Sequence, residues 1–110
     1  MESILTSIKL LLGITAECTH FDSQIISHIN SVFMDLEQLG VKINEPYVIS
    51  NDLATWSQLF GDDALLNEGV KSYVHAKVKL KFDTPTNSAL IEALERQAKE
   101  AEFRINVKVD

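Results

Sequence analysis

The chain has 110 residues, 45% of them hydrophobic and 24% charged, with a net charge of −6 and a pI of about 4.9. That length holds one domain, residues 1–110, around a single core. The sign of the charge argues against a protein whose main work is gripping phosphates, because Lys and Arg supply most of that affinity. Cys18 is the single cysteine, which excludes an internal disulfide framework and fits a reducing cytoplasm.

No apolar run reaches the roughly 18 residues of a membrane span. The opening segment SILTSIKLLLG carries Lys9 inside its apolar stretch and has no basic leader, so it does not read as a signal peptide. It reads instead as a helix over 2–12, with Ile4, Ile8, Leu11 and Leu12 on one stripe and Gly13 as its stop. GITAECTH is a connector. The spacing then predicts a helix over 21–39: Ile25, Ile29, Val32, Phe33, Leu36 and Leu39 share a face, Asp22 and Ser23 offer acceptors to the first turn, and Gly40 ends it. Asn30 falls inside this helix as a polar residue with no assigned role.

From 41 onward the pattern changes. Pro46 breaks any helix, YVIS is short and β-prone, and SND has turn chemistry. ATWSQLF suits either a second strand or a short helix, and the reading favours a hairpin or irregular insertion over 47–57, anchored on the helices by Trp56. Asp62 and Asp63 suit the N-terminus of the next helix.

The stretch from Val74 to Phe82 alternates apolar residues with His75, Lys77, Lys79 and Lys81, which taken alone describes a strand with a basic face. Leu66, Val70, Val74, Val78 and Phe82 nevertheless form an unbroken i+4 row that begins earlier and accounts for more residues. We therefore read a helix over 63–82, with lysines near its C-terminal end, where cations oppose the dipole. Pro85 stops it. A last helix over 87–105 carries Leu90, Leu94, Ala98, Ala101 and Ile105 on one face, and Asn-Val-Lys-Val-Asp reads as a frayed tail. The expected fold is mainly α: a small bundle of about four helices with one insertion.

Catalytic chemistry finds little to stand on. His20, His28 and His75 lie in different elements without metal-ligand spacing, and Cys18 with His20 supplies only half of a ligand set. Helix capping accounts for the Asp62–Asp63 pair, and no phosphate-binding or nucleophile-elbow motif is present. No catalytic, metal or cofactor residues are assigned, and the chain is not expected to be an enzyme. On a helix Lys77 and Lys79 point apart while Lys77 and Lys81 share a face, so the basic patch is narrower than the string implies. A nucleic-acid-binding accessory using the lysines of the 63–82 helix, Lys71, Lys77, Lys79 and Lys81, is the alternative reading.

With the helices placed, a set of segments resembles a known family. Phe21-Asp22 with Ile29-Asn30-Ser31, Leu39-Gly40-Val41, Thr55-Trp56-Ser57, Tyr73-Val74 with Phe82-Asp83, and Glu95 with Glu102-Phe103-Arg104 are similar to the small head-tail connector (head completion, adaptor) proteins of long-tailed phages and prophages of Gram-positive bacteria. The likeness runs over nearly the whole chain. One proline, Pro85, follows the Phe-Asp pair where the family often has two, and Phe103 stands where it often has Trp.

The resemblance implies a helical subunit that assembles as a ring homo-oligomer beneath the portal protein. Such a ring extends the DNA channel and presents a surface to the next head-completion or tail protein. It would assemble in the host cytoplasm, end in the virion neck, let DNA pass without specific binding, and need no cofactor and no membrane. An acidic channel lining, repelling phosphate over about 10 Å, fits that role. Tyr47, Val48 and Trp56, with Lys77 and Lys81, are the residues expected to meet partners, because loop aromatics dominate interface hot spots and charge sets register.

Overall fold

Ser3 opens the first helix, its hydroxyl accepting from the Thr6 amide at 3.2 Å. From there the computed structural model describes residues 3–109, as helices α1 (Ile4–Leu11), α2 (Asp22–Gln38), α3 (Trp56–Phe60), α4 (Ala64–Phe82) and α5 (Ser88–Val109). Residue 2, where the first helix was expected to begin, lies outside the described residues. Gly13 and Gly40 follow α1 and α2 with positive φ (82° and 95°), the left-handed stops expected of glycine at those places.

α4 is the central element. It packs along α5, against α2, and more lightly on α1 and α3. Val74, Ala76 and Val78 are all buried. Residues two apart on a helix point nearly opposite ways, so a helix enclosed on two sides buries both sets. That enclosure is the physical source of the strand-like alternation over 74–82. α5 returns antiparallel after the Pro85 turn. At the α4–α5 crossing Gly69 faces Ile105, whose Cγ1 would stand 3.4 Å from a Cβ there, at the near edge of ordinary contact.

The end of α5 corrects the expected frayed tail. Helix continues to Val109, and Lys108 Nζ lies 2.9 Å from the carboxylate of Asp63, tying the C-terminal turn to the start of α4. Asp63 is also the N-cap of α4, accepting from the amides of Leu65 and Leu66 at 3.1 Å. The Lys108 ammonium first, and these amides with it, pull its carboxyl below the usual range.

The hairpin over 47–57 does not form, and among the described residues there is no strand. β pairing is confined to an isolated bridge, Ser3 with Thr55, beside a bond from the Ile4 amide to the Ala54 carbonyl at 2.9 Å. Two local features prevent the hairpin. Thr55 and Gln58 make a reciprocal capping box, Thr55 Oγ1 accepting from the Gln58 amide while the Gln58 side chain accepts from the Thr55 amide, which commits the following residues to α3. Upstream, Ile49 has its backbone amide and carbonyl taken by one side chain: Asn30 Oδ1 accepts from the amide at 2.8 Å and Asn30 Nδ2 donates to the carbonyl at 2.9 Å. A side-chain amide on α2 thus does for this segment what a partner strand would have done.

α2 starts differently from expectation. No side chain caps its first turn, because the Asp22 carboxylate turns instead to Lys9, with Oδ1 2.8 Å from Nζ. Lys9, only 3% exposed, also donates to the Ala16 carbonyl at 3.1 Å, so one buried ammonium holds the whole connector between α1 and α2.

Candidate interaction site

Residues 41–55 have no regular structure, yet they are fixed at several points. Val41, Ile43 and Ile49 are buried, the Asn44 amide donates to the Leu59 carbonyl at 2.8 Å, and Asn30 clamps Ile49. Between the buried Ile43 and Ile49 the chain must bulge outward. Tyr47 sits at the crest with φ 73°, a conformation bulky side chains rarely adopt. Such strain persists only where the surroundings over-determine it, and it gathers at functional positions. Tyr47 is 53% exposed, Val48 47% and Leu53 76%, so a rigidly held segment presents three large apolar side chains to water.

Trp56 belongs beneath this surface. It is buried, its indole N–H donating to Ser7 Oγ at 2.9 Å on α1. Its ring lies 6.1 Å from that of Phe60, which meets Phe33 edge-on at 5.4 Å. Of the residues expected to meet partners, Trp56 is therefore the support that fixes the loop, while Tyr47 and Val48 are the ones on display.

The lysines are largely occupied. Lys77 is half-buried with Nζ 5.6 Å from the centre of the Tyr73 ring, and Lys79 bonds Asp83 at 2.6 Å. Lys81 is exposed, on the same face as Lys77 and away from the 41–55 segment in sequence. The Tyr73 hydroxyl is pushed up to about 12 by burial and by the carboxylates of Asp35 and Glu102, so it stays neutral under the lysine.

Between α4 and α5 the sequence reading missed a feature. α4 and α5 flank a groove of about 630 Å³ lined by Leu65, Gly69, Phe103 and Val107 among others. The signal was present: Phe103 and Val107 are spaced i,i+4 and fall off the Leu94–Ala98–Ala101–Ile105 stripe, so they cannot share its burial.

His75 links three helices. The Gln97 amide nitrogen donates to the Ser72 carbonyl at 3.0 Å and lies 3.2 Å from His75 Nδ1. With the amide nitrogen donating, Nδ1 is the acceptor of this pair, and the Leu11 backbone lies against the ring. Burial, and then the Lys79 charge, lower the ring's pKa from 6.5, outweighing the Leu11 bond. The folded protein resists a proton that the unfolded chain accepts, so this contribution to stability is full above pH 6.5 and declines as the pH falls below it. Melting temperatures of the wild type and His75→Gln should run parallel from pH 8 to 7 and converge toward pH 5, the wild type losing more. Curves parallel throughout would remove the role.

Among the described residues no group of His, Cys, Asp and Glu could hold a metal, and no helix is long and apolar enough to cross a membrane. Exposed apolar residues thus gather on a pinned loop and along an inter-helix groove of a small helical module. The chain belongs to the phage connector protein family, whose model matches residues 4–110. It is thus a structural phage protein of the connector kind, as the sequence resemblance implied. No curated protein and no solved structure matches it.

Proposed function

We propose that this protein is a ring-forming adaptor of the phage neck, seated between the portal and the next head-completion or tail protein, where it extends the DNA channel and completes the head. Family membership over residues 4–110 is the observation that carries this reading. The rigid scaffold with Tyr47 and Val48 raised on a pinned loop supplies a surface for it. Assembly takes place in the bacterial cytoplasm, and the finished ring belongs to the virion neck. DNA passes through without specific contact: a net charge of −6 opposes phosphate binding, and Lys77 and Lys79 already lean on Tyr73 and Asp83.

Two experiments test this. Loss of the protein should leave filled heads unjoined to tails, seen by electron microscopy; normal virions without it would overturn the proposal. Tyr47→Ser with Val48→Ser should preserve helicity by circular dichroism, since both side chains are already half in water, while completed particles fall at least about tenfold. Normal particle yields would exclude the loop as a contact. Filter binding to DNA at about 50 mM salt separates the alternative, for which affinity must be present and fall steeply as salt rises.

A further inference from the structure

The raised loop and the α4–α5 groove share no lining residue and belong to different parts of the fold. The loop is pinned to α2 through Asn30 and to α3 through the Leu59 carbonyl; the groove is made by the two helices farthest along the chain. Each is apolar at its centre. Leu65, Phe103 and Val107 stand 73%, 71% and 64% exposed along the groove, an unusual concentration of large apolar surface for so small a chain.

Charge distinguishes the two sides of the groove. Arg104 stands on its α5 side, where Lys108 is already paired with Asp63, and Glu68 stands on the α4 side. The loop's exposed apolar residues are bracketed by the exposed carboxylates of Glu45 and Asp52. Two copies of a chain with a net charge of −6 repel one another overall, so a contact between them is favoured where opposite charges pair locally. An acidic loop seated toward the Arg104 side of the groove does this, and Glu68 across the groove disfavours the reverse orientation.

We infer that the α4–α5 groove receives the Tyr47–Leu53 loop of a second copy of this chain. The inference rests on the ring reading above and adds to it the two surfaces that meet. A loop on one surface entering a groove on another is a heterologous contact, which repeats head to tail and closes into a ring when the rotations sum to a full turn. Tyr47 supplies the aromatic anchor, on a backbone that the pinned loop already holds at φ 73°, so little backbone freedom is lost on docking.

Disulfide trapping tests the contact. In a Cys18→Ser background, Val48→Cys and Phe103→Cys are combined in the full chain, both at exposed positions that leave the core intact. Oxidation of assembled particles should give a ladder of cross-linked copies, and neither single variant should. Particles with several copies but no ladder overturn the groove assignment and leave the ring standing. Particles with one copy each overturn both. A cross-link to a different phage protein shows that another chain occupies the groove and likewise overturns the inference. Independently, Arg104→Glu should cut completed particles at least about tenfold, and adding Glu45→Arg should restore them; a lack of restoration counts against the pairing.

Discussion

Trp56→Ala is expected to destabilise the domain by about 3–5 kcal/mol, the range for truncating a buried large aromatic. Trp56 is 6% exposed, stacks near Phe60 and donates its indole N–H to Ser7 Oγ at 2.9 Å. Ser7 is itself buried, and its hydroxyl donates to the Ile4 carbonyl at 3.0 Å, so the lost indole leaves Oγ with an unused acceptor site in a dry place. For a domain whose whole stability is about 5–15 kcal/mol, this is a large fraction. The melting temperature should fall by roughly 12–20 °C. Trp56→Phe keeps much of the packing and loses the donor, and is expected to cost less than the alanine variant, about 1–3 kcal/mol. A melting temperature unchanged in Trp56→Ala would place the ring outside the core.

The same residue shows where sequence reasoning reaches and where it stops. α2 and α4 were legible because their apolar stripes run for several turns and periodicity needs no knowledge of the neighbour. The doubtful alternation over 74–82 came out as helix because the i+4 row was longer. What the pattern alone did not show was its cause, the enclosure of α4 by α2 and α5 on two sides. The 47–57 segment went astray for a different reason. Its β propensity was real, but propensity in a short segment yields to tertiary partners, and the partner here was a side chain, Asn30, two turns into α2. A local signal did exist in Thr55-x-x-Gln58, the spacing of a capping box.

At the site, Tyr47 and Val48 were legible as apolar residues with no stripe to join, and they are exposed. The groove was not put together, because part of its wall, Val107 and Lys108, is α5 beyond 105, which the run Asn-Val-Lys-Val with its modest propensity disguised as a tail. The bond between Lys108 and Asp63 holds that turn, and it joins residues 45 positions apart, beyond the reach of any local pattern.

Lys9 is the sharpest case of a residue whose importance is invisible along the chain, and it sets the second large effect. As a letter it interrupts an apolar run. In the fold its ammonium is enclosed, 2.8 Å from Asp22 Oδ1 and 3.1 Å from the Ala16 carbonyl. The two partners are not equivalent, since the Lys9 side chain is 3% exposed and that of Asp22 is 26%. Removing the carboxylate strands a charge in the interior, where breaking a buried pair costs about 3–5 kcal/mol. Because the Ala16 carbonyl stays, Asp22→Ala is expected at the lower end, about 3 kcal/mol.

Lys9→Met removes the charge and keeps most of the stem's packing, leaving Asp22 Oδ1 buried without its partner on a side chain that is 26% exposed overall, so its cost should be smaller, roughly 1–2 kcal/mol. The order is the informative part. Urea unfolding of Asp22→Ala, Lys9→Met and the double variant should show Asp22→Ala as the least stable and the double variant as more stable than Asp22→Ala, because Met takes away the charge that Ala left unpaired. Hydrogen exchange in the connector between α1 and α2 should rise in both single variants, since the Lys9 bonds tie that segment to the core. If Asp22→Ala moves stability no more than an ordinary surface substitution, about 0.5 kcal/mol either way, the ammonium has water around it and this anchor does not exist.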